Sequence, residues 1–398
     1  MERTFKDILR SLLPLSKKHR RELKKLSSFL SADQLKDAKY LLKTKKIALG
    51  SSAHGVSTSL ATIPALYQFN SLVSDRGVNA LIKDFNSIME EGTYERSYKE
   101  FSTTAAEKIK EYIAPNILGM ELVKEAALLQ LFSEERFHLL LIGDPGTGKT
   151  DILRSSAALS PISSFGLGSG TSGAGLSIMM KGGEMEKGLL PLADGGLCCI
   201  DELNLMKKND RAALYSAMEK GFITYNKGGN NKKITSEVRV QATANPTGDR
   251  FVGKSLSILK QQLPFDSALL TRFHLVFVIR QPSTQELVNI AKKIIRSSSI
   301  KLRQEDIDYV KSYVAHANKI AVAFDKRFEH LIADFIATAK ENESKYLVEI
   351  GPRTVHGIMR LAQAYARIEL RSKVIESDVK KAIELMEKSF HIDDIIRP

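Results

Sequence analysis

The sequence predicts an α/β fold: a parallel sheet with helices on both faces, followed by a helical domain and preceded by a small, mostly helical region. Three observations predict it. Four short apolar runs, FHLLLIG (137–143), GGLCCIDEL (195–203), VRVQATANP (238–246) and HLVFVIR (274–280), alternate with helix-forming segments, as strands buried on both faces do. The first run opens into GDPGTGKT and then into helix-forming TDILRSSAAL (150–159), a strand–loop–helix unit. From about Thr284 to Phe390 every segment reads as helix. These changes of texture set expected boundaries at 1–102, 103–282 and 283–398.

Taken in order, residues 1–46 place Phe5, Ile8, Leu9, Leu12 and Leu13 at helical spacing. A Ser/Gly-rich stretch, ALGSSAHGVSTSLATIP (48–64), reads as a loop, and Val78 to Glu91 as a further helix. TTAAEK (103–108) has the form of a capping box at a helix start. Between the second and third strands, GFIT and ITSEVRVQATAN alternate in polarity around YNKGGNNKK (225–233). That arrangement predicts a β-hairpin with a polar tip whose Gly and Asn tolerate positive φ.

Composition limits the partners. The chain's 398 residues carry a net charge of +13, and residues 1–50 alone hold 14 Lys and Arg against 5 Asp and Glu, a net of +9. This asymmetry points to a polyanion, with nucleic acid the usual candidate, the alternative being a solvated basic helix. No apolar run approaches the ~18–20 residues of a membrane span, and no signal-peptide pattern opens the chain. The only cysteines, Cys198 and Cys199, are adjacent on a strand and so point to opposite faces, which disfavours a disulfide or metal pair. A reducing, intracellular location, cytoplasmic or at the nucleoid, is expected.

The chemistry centres on Gly143, Asp144, Pro145, Gly146, Thr147, Gly148, Lys149 and Thr150, which satisfy the phosphate-loop spacing G-x-x-x-x-G-K-[ST] in its required context. The glycines let backbone N–H groups turn toward phosphate oxygens at a helix N-terminus. Lys149 is expected to neutralise the β- and γ-phosphates of ATP, and the Thr150 hydroxyl to ligate Mg²⁺. Asp201 and Glu202 end the second strand, Asp201 for the magnesium hydration shell and Glu202 to orient and deprotonate the attacking water. Asn245 ends the third strand, where its amide reaches water or the γ-phosphate; a plain turn residue before Pro is the alternative. Arg272, in LLTRF, and Arg353, at the helix start GPRT, are candidates for stabilising transition-state charge.

In order and spacing, these motifs resemble the ATPase region of the minichromosome maintenance (MCM) helicases of the AAA+ superfamily. The resemblance runs from about Ile113 to His391 through IAPNILGMELVKEAALLQLF, LLLIGDPGTGKT, GLLPLADGGLCCIDELNLM, NDRAALYSAMEKG, ATANP, ALLTRFHLVFV, GPRTVHGIMRLAQAYARI and IESDVKKAIELM. It implies that Lys149 and Thr150 are the Walker A pair, Asp201 and Glu202 Walker B, and Asn245 sensor 1. Arg272 would be the arginine finger and Arg353 the sensor 2 arginine, both acting on a neighbouring subunit's nucleotide in a ring, usually a hexamer. The hairpin would project into a central channel and carry Lys227, with Lys232 and Lys233 nearby, against single-stranded DNA. GLGSGTSGAGLSIMMKGGEMEKG (166–188) resembles a second channel loop.

Three features depart from the family pattern. The region before residue 103 reads helical and holds no cysteine, where the family usually has an oligonucleotide-binding barrel and often a cysteine-ligated zinc. GTGKT stands where alanine and serine are commoner. The hairpin is rich in Gly and Asn. The expected function is an ATP-driven DNA translocase or helicase. The alternatives are a protein-complex remodeller of the MoxR and magnesium-chelatase type and an MCM paralogue that does not unwind DNA.

Overall fold

The structure, a computed structural model, describes residues 97–133, 136–181, 184–227, 230–253, 255–296 and 303–390. The helices expected within 1–46 and 78–91 and the loop at 48–64 lie outside them. By internal contacts the chain divides into Met1–Phe101 and Ser102–Pro398. All that follows concerns the second unit.

Helices α1 (Ala105–Tyr112) and α2 (Glu121–Phe132) lead into strand β1 (Leu139–Gly143), and α3 (Lys149–Leu159) follows the phosphate loop. Next come β2 (Ser163–Leu167), a helical turn α4 (Gly173–Leu176), a hairpin of β3 (Ile178–Lys181) and β4 (Glu184–Lys187), and a second turn α5 (Leu189–Leu192). Strand β5 (Leu197–Asp201), helix α6 (Ala212–Lys220) and a hairpin of β6 (Phe222–Lys227) and β7 (Asn230–Thr235) precede β8 (Arg239–Ala244). Two short helices, α7 (Leu256–Gln261) and α8 (Ser267–Leu270), lead to β9 (Leu275–Ile279). The rest is helical: α9 (Thr284–Arg296), α10 (Gln304–Ala317), α11 (Glu329–Glu341), α12 (Pro352–Ile368) and α13 (Glu376–Phe390).

The main sheet has the order β2-β5-β8-β1-β9 and every pairing in it is parallel. Strands β1, β5, β8 and β9 are buried along their whole length. Each fully buried Leu, Ile, Val or Phe there contributes about 1.5–3 kcal/mol. These are the four strands expected from the sequence. The fifth, β2, is an addition: SSFGL lies at the sheet edge with Phe165 intermediate and only Ser164 buried, so it lacks the continuous apolar run that marks its neighbours. Because β1 is flanked by strands that come later in the chain, the sheet changes direction at β1, and the carboxyl ends of β5, β8 and β1 share one edge. Cys198 and Cys199 are buried and free, and burial pushes the Cys198 thiol up to about 11.

Two local expectations are corrected. Thr104 holds the N-cap position of α1 but makes no capping bond, because φ −124° and ψ 3° are not the extended geometry that lets a cap side chain turn back. The expected hairpin forms, but its tip is shorter than the stretch 225–233. Its ladder runs from Phe222↔Thr235 to Lys227↔Asn230, so most of YNKGGNNKK is itself strand and only Gly228 and Gly229 lie between. Polar side chains suit a hairpin whose strands are not part of a core sheet.

Helix α2 is buried around most of its circumference because sheet and helical domain both cover it; Val123, Lys124 and Ala126 to Phe132 are all buried. Its last carbonyls are therefore shut off from water and take donors from both sides. From β8, Arg239 donates to Leu131 O (3.1 Å) and Ser133 O (2.9 Å). From the helical domain, Arg367 of α12 donates to Phe132 O (2.5 Å) and Asn318 donates to Leu131 O (3.0 Å). Arg367→Met keeps the apolar bulk and strips the charged donor from a buried helix end. It is expected to destabilise the unit by about 1.5–3 kcal/mol, read as a lower urea midpoint in equilibrium unfolding.

Candidate active site

The phosphate loop leaves β1 at Gly143 and enters α3 at Lys149. Gly146 and Gly148 have φ of 74° and 82°, the left-handed region that side-chain-bearing residues avoid, and this turns the loop into a cradle. Asp144 is buried, and its carboxylate accepts the Phe251 N–H (2.8 Å) and the Gln281 N–H (2.9 Å). Gln281 also donates to Pro145 O (3.0 Å), and the Thr147 hydroxyl to Asp144 O (2.8 Å). Asp144, Pro145 and Thr147 thus hold the loop's shape. The Lys149 ammonium lies 2.7 Å from both Gly143 O and Asp144 O. Burial lowers its pKa to about 8, against the opposing pull of Asp144, Asp201 and Glu202.

Beside the loop, the Thr150 hydroxyl donates to Asp201 Oδ1 at 3.2 Å. Glu202 follows with φ 53° and ψ 46°, a left-handed turn that ends β5. Asn245 follows β8, between β5 and β1, and its N–H donates to Asn204 Oδ1 (3.1 Å). The fold therefore brings Lys149, Thr150, Asp201, Glu202 and Asn245 to one sheet edge. The donor set fits ATP with Mg²⁺: a glycine cradle with one lysine, then a hydroxyl and a carboxylate as hard oxygen ligands. Among the described residues no group of three or more His, Cys, Asp or Glu cages an ion. Mg²⁺ bound through one or two protein oxygens and the phosphates requires no such cage.

Arg272 and Arg353 lie elsewhere. Arg272 precedes β9, whose register runs Leu275 beside Leu139 to Ile279 beside Gly143, so it sits at the amino edge of the sheet while the loop sits at the carboxyl edge. A five-residue strand spans ~17 Å, which separates Arg272 from its own chain's phosphate loop. Its guanidinium pairs with Glu219 (2.9 Å), bonds Ala268 O and lies 4.9 Å from the Tyr215 ring centroid. Arg353 joins it by donating to Thr271 O (2.7 Å). Burial and the Arg272 charge push the Arg353 pKa below the ordinary arginine value. A cleft of about 460 Å³ opens here, its lining including Arg136, Arg353, Arg360 and a single carboxylate, that of Glu219. The edge carries excess positive charge suited to an anion.

The lysines form a third group on the hairpin. Lys227 pairs with Asn230 beside the turn, and Lys232 and Lys233 follow on β7, both exposed. The Lys233 ammonium rests 3.8 Å from the Phe222 ring centroid and so is engaged with the hairpin itself. Asp194 fixes the hairpin base by accepting from the Thr235 hydroxyl (2.7 Å) and the Glu237 N–H (2.8 Å). The 166–188 segment contains α4 and the β3–β4 hairpin. Sequence reasoning missed Asn204 and Thr243. The only signal for Thr243 was a hydroxyl inside an otherwise apolar strand end.

Since Lys149 must be charged to neutralise phosphate, and bound phosphate raises its pKa, nucleotide binding takes up a proton near and above pH 8. Affinity for a fluorescent ATP analogue is expected to fall as pH rises from 7.5 to 9.5, by up to about tenfold per pH unit. Lys149→Ala should bind weakly with no such slope.

The region that holds the loop, the acidic pair and the strand-end Asn is matched in comparisons with known proteins. The model of the MCM P-loop domain matches residues 95–298, and that of the MCM AAA-lid domain residues 308–390. The minichromosome maintenance protein MCM of Saccharolobus solfataricus is 32% identical over 304 residues, covering 70% of this chain and 44% of the relative. The probable DNA helicase MCM9 of Arabidopsis thaliana is 31% identical over 310 residues, 71% of this chain and 48% of the relative. The DNA replication licensing factor mcm7 of Schizosaccharomyces pombe is 28% identical over 353 residues, 80% of this chain and 46% of the relative. The chain thus spans somewhat under half the length of these relatives. With both the P-loop and AAA-lid domains matched across a five-stranded parallel sheet and a helical C-terminal region, the chain belongs to the MCM family of AAA+ proteins.

Proposed function

We propose that this chain is an ATP hydrolase whose catalytic site is completed by a second copy, and that a ring of copies, expected to be six, moves along DNA. The observation that carries the reading is the placement of Arg272 and Arg353 at the sheet edge opposite their own phosphate loop, where the cleft's positive charge calls for an anion. Head-to-tail packing sets that edge against the phosphate loop of the next copy and joins the two halves.

In the joined site Lys149 and the loop N–H groups hold the β- and γ-phosphates. Thr150 and Asp201 would hold Mg²⁺, which would supply neutralisation of charge on the phosphates. Glu202 orients the water and takes its proton as the water oxygen attacks the γ-phosphorus and ADP leaves. Asn245 steadies the water or the γ-phosphate. Arg272 and Arg353 of the neighbour balance the charge that builds up in the transition state. Arg272 gives up Glu219, an exposed pairing worth little. Lys227 and Lys232 meet the DNA backbone as the nucleotide cycle shifts the hairpin. The helicase and replication-factor names of the relatives support DNA as the polymer.

Two experiments test this. Arg272→Ala and Glu202→Gln should each lower hydrolysis, the first by roughly 10³–10⁵-fold, and mixing the two variants should recover part of the rate at mixed interfaces. No recovery in a mixed assembly would overturn the shared site. Single-stranded DNA should stimulate hydrolysis by wild type, and Lys227→Ala should lose that stimulation, read as the ratio of rates with and without DNA. Robust hydrolysis indifferent to DNA would favour a remodeller of protein complexes.

A further inference from the structure

We propose that Thr243 is a positioning residue for hydrolysis, its single hydroxyl setting Asp201 and Glu202 in fixed relation to each other; the proposal rests on the ATP hydrolase reading above. Thr243 is 1% exposed and lies between the buried Ala242 and Ala244 near the end of β8. Packing alone asks for no hydroxyl there, since Val has the same shape. A hydroxyl has one proton to give and lone pairs to receive, and both are used on the acidic pair. Thr243 Oγ1 donates to Asp201 Oδ1 and accepts the Glu202 N–H at 3.0 Å.

For Asp201, this means that Oδ1 takes two hydroxyls, one from Thr150 on the phosphate loop and one from Thr243 on the central strand. The carboxylate that serves magnesium is thereby oriented from both flanking elements. For Glu202 the effect is on the backbone. Its left-handed conformation is one that a glutamate rarely adopts. The turn is gripped on both sides of the residue: Thr243 holds its N–H, and Gly168 packs so closely against its carbonyl that a Cβ there would lie 2.2 Å from Glu202 O. Two residues further on, Asn204 Oδ1 accepts the Asn245 N–H. The acidic turn is stitched to the end of β8 at two points, and Thr243 is the one that touches both carboxylate-bearing residues. Without the hydroxyl, Asp201 keeps only Thr150, and the Glu202 turn loses the bond that favours its strained geometry over a relaxed one that points the carboxylate elsewhere.

The test compares wild type, Thr243→Val, which is isosteric, Thr243→Ser, which keeps the hydroxyl, and Gly168→Ala, which presses on Glu202 O and leaves Thr243 intact. Thr243→Val is expected to lower kcat at saturating ATP and Mg²⁺ by about 10–100-fold and to raise the Mg²⁺ needed for half-maximal binding of a fluorescent ATP analogue by about tenfold. Binding of the analogue without Mg²⁺ should change by less than about twofold. Thr243→Ser should restore both quantities, and Gly168→Ala should lower kcat while sparing the magnesium step. Thr243→Val behaving as wild type would overturn the proposal. So would Thr243→Ser failing as badly as Val, or a loss of metal-free nucleotide binding, which would mark a merely structural role. If the Val protein does not fold, an unchanged kcat in Gly168→Ala overturns the grip on Glu202. A wild type that binds nucleotide without hydrolysing it would defeat the hydrolase reading alone, and the magnesium step would then decide for or against Thr243.

Discussion

The buried carboxyl end of α2 is the constraint on which the rest of the unit depends. A helix enclosed by sheet on one side and helical domain on the other cannot leave its last carbonyls to water, and each one left bare costs ~1–3 kcal/mol. Arg239 and Arg367 meet that demand from opposite sides, one from the central strand and one from α12. Their charges also complement the negative end of the helix dipole. The helical domain is thereby joined to the sheet through hydrogen bonds of defined direction as well as apolar contact. The same helix α12 carries Arg353 at its other end, so the junction contributes to where that arginine meets Thr271.

Much of this was legible in the residues. LLLIG, LCCID, RVQATA and LVFVI read as buried strands because both faces meet apolar neighbours, and a strand of that kind carries its signal in composition alone. The phosphate loop was legible because its function needs glycines at fixed places. SSFGL was not, since an edge strand is free to be polar on its open side. The polar hairpin strands escaped for a related reason: a ladder outside the main sheet needs few apolar side chains, so YNKGGNNKK looked like loop. The capping box at Thr104 failed because the motif specifies side chains, whereas the cap is decided by backbone angles. Thr243 and Asn204 were invisible because their importance lies in which distant residue they face, a property of strand register that only the fold supplies.

The site also shows backbone and side chain dividing the work. Asp144 and Pro145, which belong to the phosphate loop by spacing, are also tied into the loop's own framework through Phe251 and Gln281. Conversely, the Glu202 turn depends on a glycine from the segment after β2 that carries no chemistry at all. Rigidity here comes from neighbouring strands bracing each other's ends, which suits a site that must present a carboxylate, a hydroxyl and an ammonium to one small group of atoms.

The placement of phosphate loop and arginines on opposite edges has a consequence for symmetry. A surface that completes itself only by meeting a different surface of the same molecule cannot close as a two-fold dimer, because like would then face like. Assembly of the proposed kind is polar: every copy has a giving side and a receiving side, and a lone pair of copies makes one complete site and leaves two halves idle. Closing the circle employs every half. A defective copy would then spoil a site on each side of it if both halves were damaged, and only one if either were intact, so the dominance of a mutation would report whether it struck one edge or both.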